Sequence, residues 1–81
     1  MLVAKVIVNE ETGIPTGEVE LVFDQNGLHE FCERLEWIRR GETDHFHLMT
    51  TEWGSGELQI FQESEKEKLV HHLKVCHMPE V

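Results

Sequence analysis

Hydrophobic and polar positions along this chain change period several times, and each change marks an element. Residues 2–8, Leu-Val-Ala-Lys-Val-Ile-Val, are a β-branched run that reads as a first strand, buried on both faces for part of its length. Lys5 interrupts it and is expected to snorkel or to mark an edge. Asn9 to Gly17 holds Gly13, Pro15 and Gly17, which suit a loose hairpin connection. From Glu18 to Phe23 the pattern alternates, with Val19, Leu21 and Phe23 on one side and Glu18 and Glu20 on the other. That is the signature of a half-solvated antiparallel strand.

Periodicity then becomes helical. Asp24 or Asn26 can cap the first turn, and Leu28, Phe31, Cys32, Leu35 and Ile38 lie within about 120° of one another at 100° per residue. Glu30 with Arg34 and Glu36 with Arg40 add i,i+4 pairs, Arg39 and Arg40 oppose the C-terminal dipole, and Gly41 supplies the stop. Cys32, on the stripe, is expected to be a buried free thiol. Trp37 falls about 180° from Leu28. An outward Trp there is either an anchor for a partner protein or a ring covered by a loop or chain end.

Strand-like alternation returns just past the middle. In Asp44-His45-Phe46-His47-Leu48-Met49-Thr50, Phe46, Leu48 and Thr50 share one side and His45, His47 and Met49 the other. One face is core-like and the other is rich in imidazole. A turn over 51–56 follows, with Gly54 and Gly56, and Glu57-Leu58-Gln59-Ile60-Phe61 reads as the antiparallel neighbour. Gln62 to Lys68 is polar, with alternating charges and no expected core residue. Residues 69–78 fit two periods. Ser64-x-x-Glu67 resembles a capping box ahead of a helical stripe of Leu69, Val70, Leu73 and Cys76. Alternation fits equally, with His71, Leu73, Val75 and His77 opposed to Val70, His72, Lys74, Cys76 and Met78.

With the last segment taken as a strand, the expectation is one α+β domain over residues 1–81. Its order is β-β-α-β-β-β, an antiparallel-dominated sheet with one helix packed on one face. The other face would be partly open and would carry His45, His47 and Met49.

Charge narrows the partners. Seven Lys and Arg stand against sixteen Asp and Glu, a net charge of −9. The excess is spread along the chain: four basic residues face eight acidic ones in 1–40, and three face eight in 41–81. Such a field disfavours nucleic acid and anionic membrane and favours a basic partner. It also keeps a small protein in solution. The two cysteines form no Cys-x-x-Cys pair, and residues 1–8 have no basic lead-in and break at Asn9-Glu10-Glu11. A reducing cytoplasm is the expected location.

Candidate chemistry is sparse. His45-x-His47 on a strand aims two imidazoles one way. A third ligand from His71, or from His72 or His77, would suit zinc, copper or nickel, and His45, His47 and His71 form that alternative site. No metal is favoured on spacing alone, and no cofactor is expected. Ser55 and Ser64 lie in no nucleophile elbow, and no Gly-rich loop joins a strand to a helix. The chain is not expected to be an enzyme. A third possibility is a homodimer, or a larger self-assembly, formed through the open face.

The segment 44–54, ending Glu52-Trp53-Gly54, with Gly56-Glu57-Leu58 and Val70-His71-His72-Leu73-Lys74-Val75, resembles Immunity protein 32, a family of small α+β proteins found with bacterial polymorphic toxins. The similarity covers the C-terminal half, and residues 1–40 only as a strand, strand, helix outline. It favours the strand reading of 69–78. It implies a protein that binds and neutralises a cognate toxin domain made by the same cell. The residues placed at such a contact are Trp37, His45, His47, Met49, Glu52, Trp53 and Glu57, with Trp53 as the leading anchor. The ending Cys76-His77-Met78-Pro79 departs from the family in lacking aromatic residues before the proline.

Overall fold

The computed structural model describes residues 1–79. Strands β1 (Leu2–Val8) and β2 (Pro15–Phe23) precede helix α1 (Gln25–Arg39), and β3 (His45–Met49), β4 (Glu67–Leu69) and β5 (His72–Cys76) follow it. The α+β class and the element order are those expected. The strands divide between two antiparallel ladders, one ordered β2-β1-β4 and the other pairing β3 with β5.

A single bent segment joins the ladders. β4 pairs with β1, Lys5 opposite Leu69 and Ile7 opposite Glu67, whereas β5 pairs with β3 from His45 opposite Cys76 to Met49 opposite His72. The change falls at one peptide: Val70 N–H donates to the Ala4 carbonyl at 2.8 Å, and the His71 carbonyl accepts from Thr50 N–H at 3.0 Å. Residues 57–61 are not the expected strand. Leu58 N–H bonds to the Met49 carbonyl at 3.0 Å, but Gln59 N–H bonds to the Leu2 carbonyl at 2.8 Å. The segment therefore crosses from one ladder to the other and cannot pair along either.

The helix that the capping pattern at Ser64 signals does not form, and the side chains of the pattern bond to neighbouring residues instead. Ser64 Oγ accepts from Lys66 N–H at 3.2 Å, and Glu67 Oε2 reaches back to Glu63 N–H at 2.8 Å. One turn forms, after which the open edge of β1 takes the chain as β4. A strand edge with unmatched N–H and C=O groups outcompetes a short helix that would have little to pack on.

Asp24 caps α1, accepting from Gly27 N–H at 2.9 Å. The Met1 ammonium, at 2.5 Å, and the Gly27 amide hold the Asp24 carboxyl below its ordinary range. The helix is rolled by roughly a quarter turn from the expected stripe. Gly27, Phe31, Arg34 and Ile38 face inward, while Cys32 and Leu35 are exposed. Cys32 is thus not the buried thiol that the stripe implied. Gly27 drives the roll, because a Cβ there would lie 1.8 Å from the Met1 carbonyl oxygen; only glycine lets α1 come this close to the chain start.

Leu2 and Ala4 from β1, Phe46 and Leu48 from β3, and Leu58 from the crossing segment make the core. Leu21, Phe31, Ile38, Val70, Leu73 and Val75 pack around it, with Phe31 edge-on to Phe46 at 5.9 Å between ring centroids. On the opposite face of β1, Lys5 is 2% exposed. Its Nζ lies 3.1 Å from Glu67 Oε1 and 5.6 Å from the centre of the Phe61 ring. Lys5 thus marks the buried middle strand, neither an edge nor a snorkelling stem, and the polar stretch 62–68 contains its buried partner. The Glu63 amide, followed by Lys5, holds the Glu67 carboxyl below its ordinary value of 4.5.

Two substitutions test this packing. Lys5→Ala strands the Glu67 carboxylate and should lower the urea midpoint by about 1–2 M, while Lys66→Ala leaves it nearly unchanged. Gly27→Ala should destabilise, although alanine gains about 1 kcal/mol of helix propensity over glycine; a thermal midpoint that rises would show that the approach of α1 to Met1 is not tight.

Candidate functional site

Pairing of β3 with β5 decides which side chains share the open face. His45, His47 and Met49 stand opposite Cys76, Lys74 and His72, and directly opposed residues project to the same side. Phe46, Leu48, Leu73 and Val75 fill the other side and anchor the hairpin in the core. The imidazole face foreseen in 44–50 therefore forms, and β5 adds His72 and Lys74 to it.

The histidines are in contact. His47 Nδ1 lies 2.7 Å from His72 Nε2, and the rings of His45 and His47 meet edge to face at 5.2 Å. Asp44 Oδ1 is 2.7 Å from His45 Nδ1, which holds the Asp44 carboxyl below its ordinary value. At 2.7 Å one of His47 and His72 donates an N–H to the lone pair of the other, so the two facing nitrogens cannot both carry a proton. Burial first, then charge on His72, His45 and Lys74, pushes the His47 pKa below its ordinary 6.5.

His71 is not part of this row. Its Nδ1 is 2.8 Å from the Thr50 hydroxyl and 3.9 Å from Glu52 Oε2, and its ring lies under Trp53. The imidazole nearest His47 is His72, so a set of His45, His47 and His71 does not converge. Among the described residues no group of three or more His, Cys, Asp or Glu is arranged to hold a metal ion. His71 sits at the bend between ladders and His72 begins β5, which sends these neighbouring histidines to different surroundings.

The turn after β3 carries the other half of the face. Trp53 N–H and Gly54 N–H both donate to the Thr50 carbonyl, closing a tight turn. Gly54 lies against the Met49 thioether, where a Cβ would come within 2.5 Å of Sδ. Met49 thus braces the turn from below. Glu57 does the same from the side, Oε1 accepting from Ser55 Oγ at 2.6 Å and from Met49 N–H at 3.1 Å. Burial opposes ionisation of Glu57, yet these two donors hold its pKa below 4.5. Trp53 is 64% exposed, its ring nearly parallel to His71 at 14° and 6.0 Å, with His72 at 6.5 Å. Glu52 stands exposed beside it.

Trp37 lies elsewhere, half-buried on α1 with the Arg34 guanidinium 5.3 Å from its ring centre. The surface brought together is therefore His45, His47, Met49, His72, Lys74, Glu52 and Trp53, with Glu57 as its brace and Trp37 outside it. His72 and Lys74 become legible in the sequence once residues 72–76 are paired with 45–49. No helix among the described residues is long and apolar enough to cross a membrane.

No family model matches the chain, and no curated protein or solved structure matches it significantly.

The histidine pair gives a pH-dependent expectation. An imidazole whose folded pKa lies below 6.5 takes up its proton more readily in the unfolded chain, so His47 costs nothing above 6.5 and opposes folding as pH falls from there toward its folded value. In an NMR titration His47 should protonate below 6.5, and His72→Gln should move its midpoint upward; a midpoint indifferent to His72 would leave burial and the charges of His45 and Lys74 as its causes.

Proposed function

We propose that this chain binds and neutralises a basic protein, as an immunity protein binds its cognate toxin domain, and that the outer face of β3 and β5 with the 50–57 turn makes the contact. Trp53 carries this reading. Its ring is 64% exposed, yet it is stacked on His71 above a turn closed on Thr50. A large aromatic held in one orientation before binding loses little conformational freedom on binding, which is the property of an interface anchor. Glu52 beside it and Asp44 at the far end of β3 offer exposed carboxylates, and the net charge of −9 speeds encounter with a cationic partner. The resemblance of residues 44–54 to Immunity protein 32 points the same way. In this assignment His45, His47, Met49, Glu52 and Trp53 touch the partner, Glu57 holds the turn that presents Trp53, and Trp37 packs within the protein. The site of action is the cytoplasm, where the toxin is made.

The test is co-expression and co-purification with the toxin-domain products of adjacent reading frames, followed by titration of the complex. A stoichiometric complex whose affinity falls with salt is expected, and Trp53→Ala should weaken it by at least about 2 kcal/mol. Absence of a complex, or an unchanged affinity in a folded Trp53→Ala variant, rejects the reading.

A further inference from the structure

β2 is the outer strand of its ladder, and the phase of its free edge can be read from its neighbours. Leu2 exchanges hydrogen bonds with Gln59, and the Ala4 carbonyl accepts from Val70, so residues 2 and 4 turn their backbone groups away from β2. Asp24 N–H donates to the Met1 carbonyl at 3.2 Å, which places the odd-numbered residues of β1 in the bonds to β2. In the register Leu2 opposite Phe23, Ala4 opposite Leu21 and Val6 opposite Val19, the N–H and C=O groups of Val19, Leu21 and Phe23 therefore point outward. Beyond the ladder to β1, no hydrogen bond among the described residues engages the main chain of these three.

Side chains follow the same phase. Val19, Leu21 and Phe23 lie on the helix-covered face, but α1 leaves Val19 62% and Phe23 38% exposed. On the other face stand Glu18 and Glu20, neither in an ion pair among the described residues; Lys5, opposite Glu20 in the register, is turned to Glu67. The edge thus presents outward backbone groups with apolar side chains on one face and carboxylates between them on the other.

We infer that β2 accepts an extended segment of another protein as an additional antiparallel strand, one that alternates apolar with Lys or Arg side chains. Apolar residues of the added strand, bonded across from Val19 and Leu21, continue the exposed apolar strip, and its basic residues stand opposite Glu18 and Glu20. Charge disfavours a second copy of this chain. A two-fold pairing centred on Val19 sets Glu18 opposite Glu20, and a shift of one step sets Glu20 opposite itself, so both registers that align the apolar residues of β2 most fully bring carboxylates together. This edge belongs to the β2-β1-β4 ladder and Trp53 to the turn after β3 in the other ladder, so the inference stands independently of the toxin-binding face.

The probe is a short peptide of alternating valine and lysine, titrated into the 15N-labelled protein. Amide shifts should concentrate on residues 17–23, and Glu18→Gln with Glu20→Gln should weaken binding roughly tenfold. Two further peptides of the same composition separate strand addition from charge attraction. N-methylation of the residues that bond to β2 should abolish binding, whereas N-methylation of the alternate residues should leave it intact. Equal binding of the two methylated peptides overturns the inference, as do shifts centred on Trp53 and the histidines, or a dimer of the free protein that pairs through β2.

Discussion

Burial of β1 on both faces is the constraint from which the rest follows. Leu2 and Ala4 face the helix side, Val3 and Lys5 face the other, and all four are nearly inaccessible. A strand removed from water must have its N–H and C=O groups matched along both edges. β2 serves one edge, with an irregularity between Val6 and Val8 where the Ile7 carbonyl accepts from Thr16 Oγ1. The second edge is served in pieces, by the side chain and backbone of Gln59 at Leu2, by Val70 at Ala4 and by β4 beyond. That patchwork explains why the chain between 57 and 70 follows so irregular a path. The ammonium of Lys5 is the other consequence: a cation on the middle strand requires a carboxylate within the fold, and Glu67 is delivered to it by the same segment that completes the edge.

The two surfaces that remain outside this arrangement differ in kind. The face of β3 and β5 is rigid, aromatic and imidazole-rich, with its turn braced by Met49 and Glu57. It offers shape and a fixed anchor. The edge of β2 offers backbone geometry and a charge pattern and can shape an incoming segment that has no structure of its own. A protein of 81 residues has room for both because neither requires an enclosed cavity.

Elements that depend on local pattern were legible in the sequence. The alternation in 18–23, the helix over 28–38 and the two-sided strand at 44–50 all stand where the period placed them. Misread features depend on contacts distant in the chain. Residues 57–61 read as a strand paired with 44–50, but Leu58 is buried as a bridge between ladders. Ser64 and Glu67 matched a capping pattern, but the edge of β1 took the following residues as a strand. The roll of α1, which exposed Cys32, comes from Gly27 meeting Met1, a contact that no window of sequence contains. Of the candidate site, His45, His47 and Met49 were legible as one face from their spacing alone. Their neighbour His72 required the register of β5, and the separation of His71 from the row required the bend.

The bend at residues 70 and 71 also links the ladders in registration. β4 and β5 belong to one continuous segment, so a slip of one residue along β3 would turn Leu73 and Val75 to water and, transmitted through the bend, would draw Glu67 off Lys5. An error in either ladder is penalised in both. The two-stranded ladder, too slight to be stable alone, is thereby made to form and dissolve with the three-stranded one as a single cooperative unit.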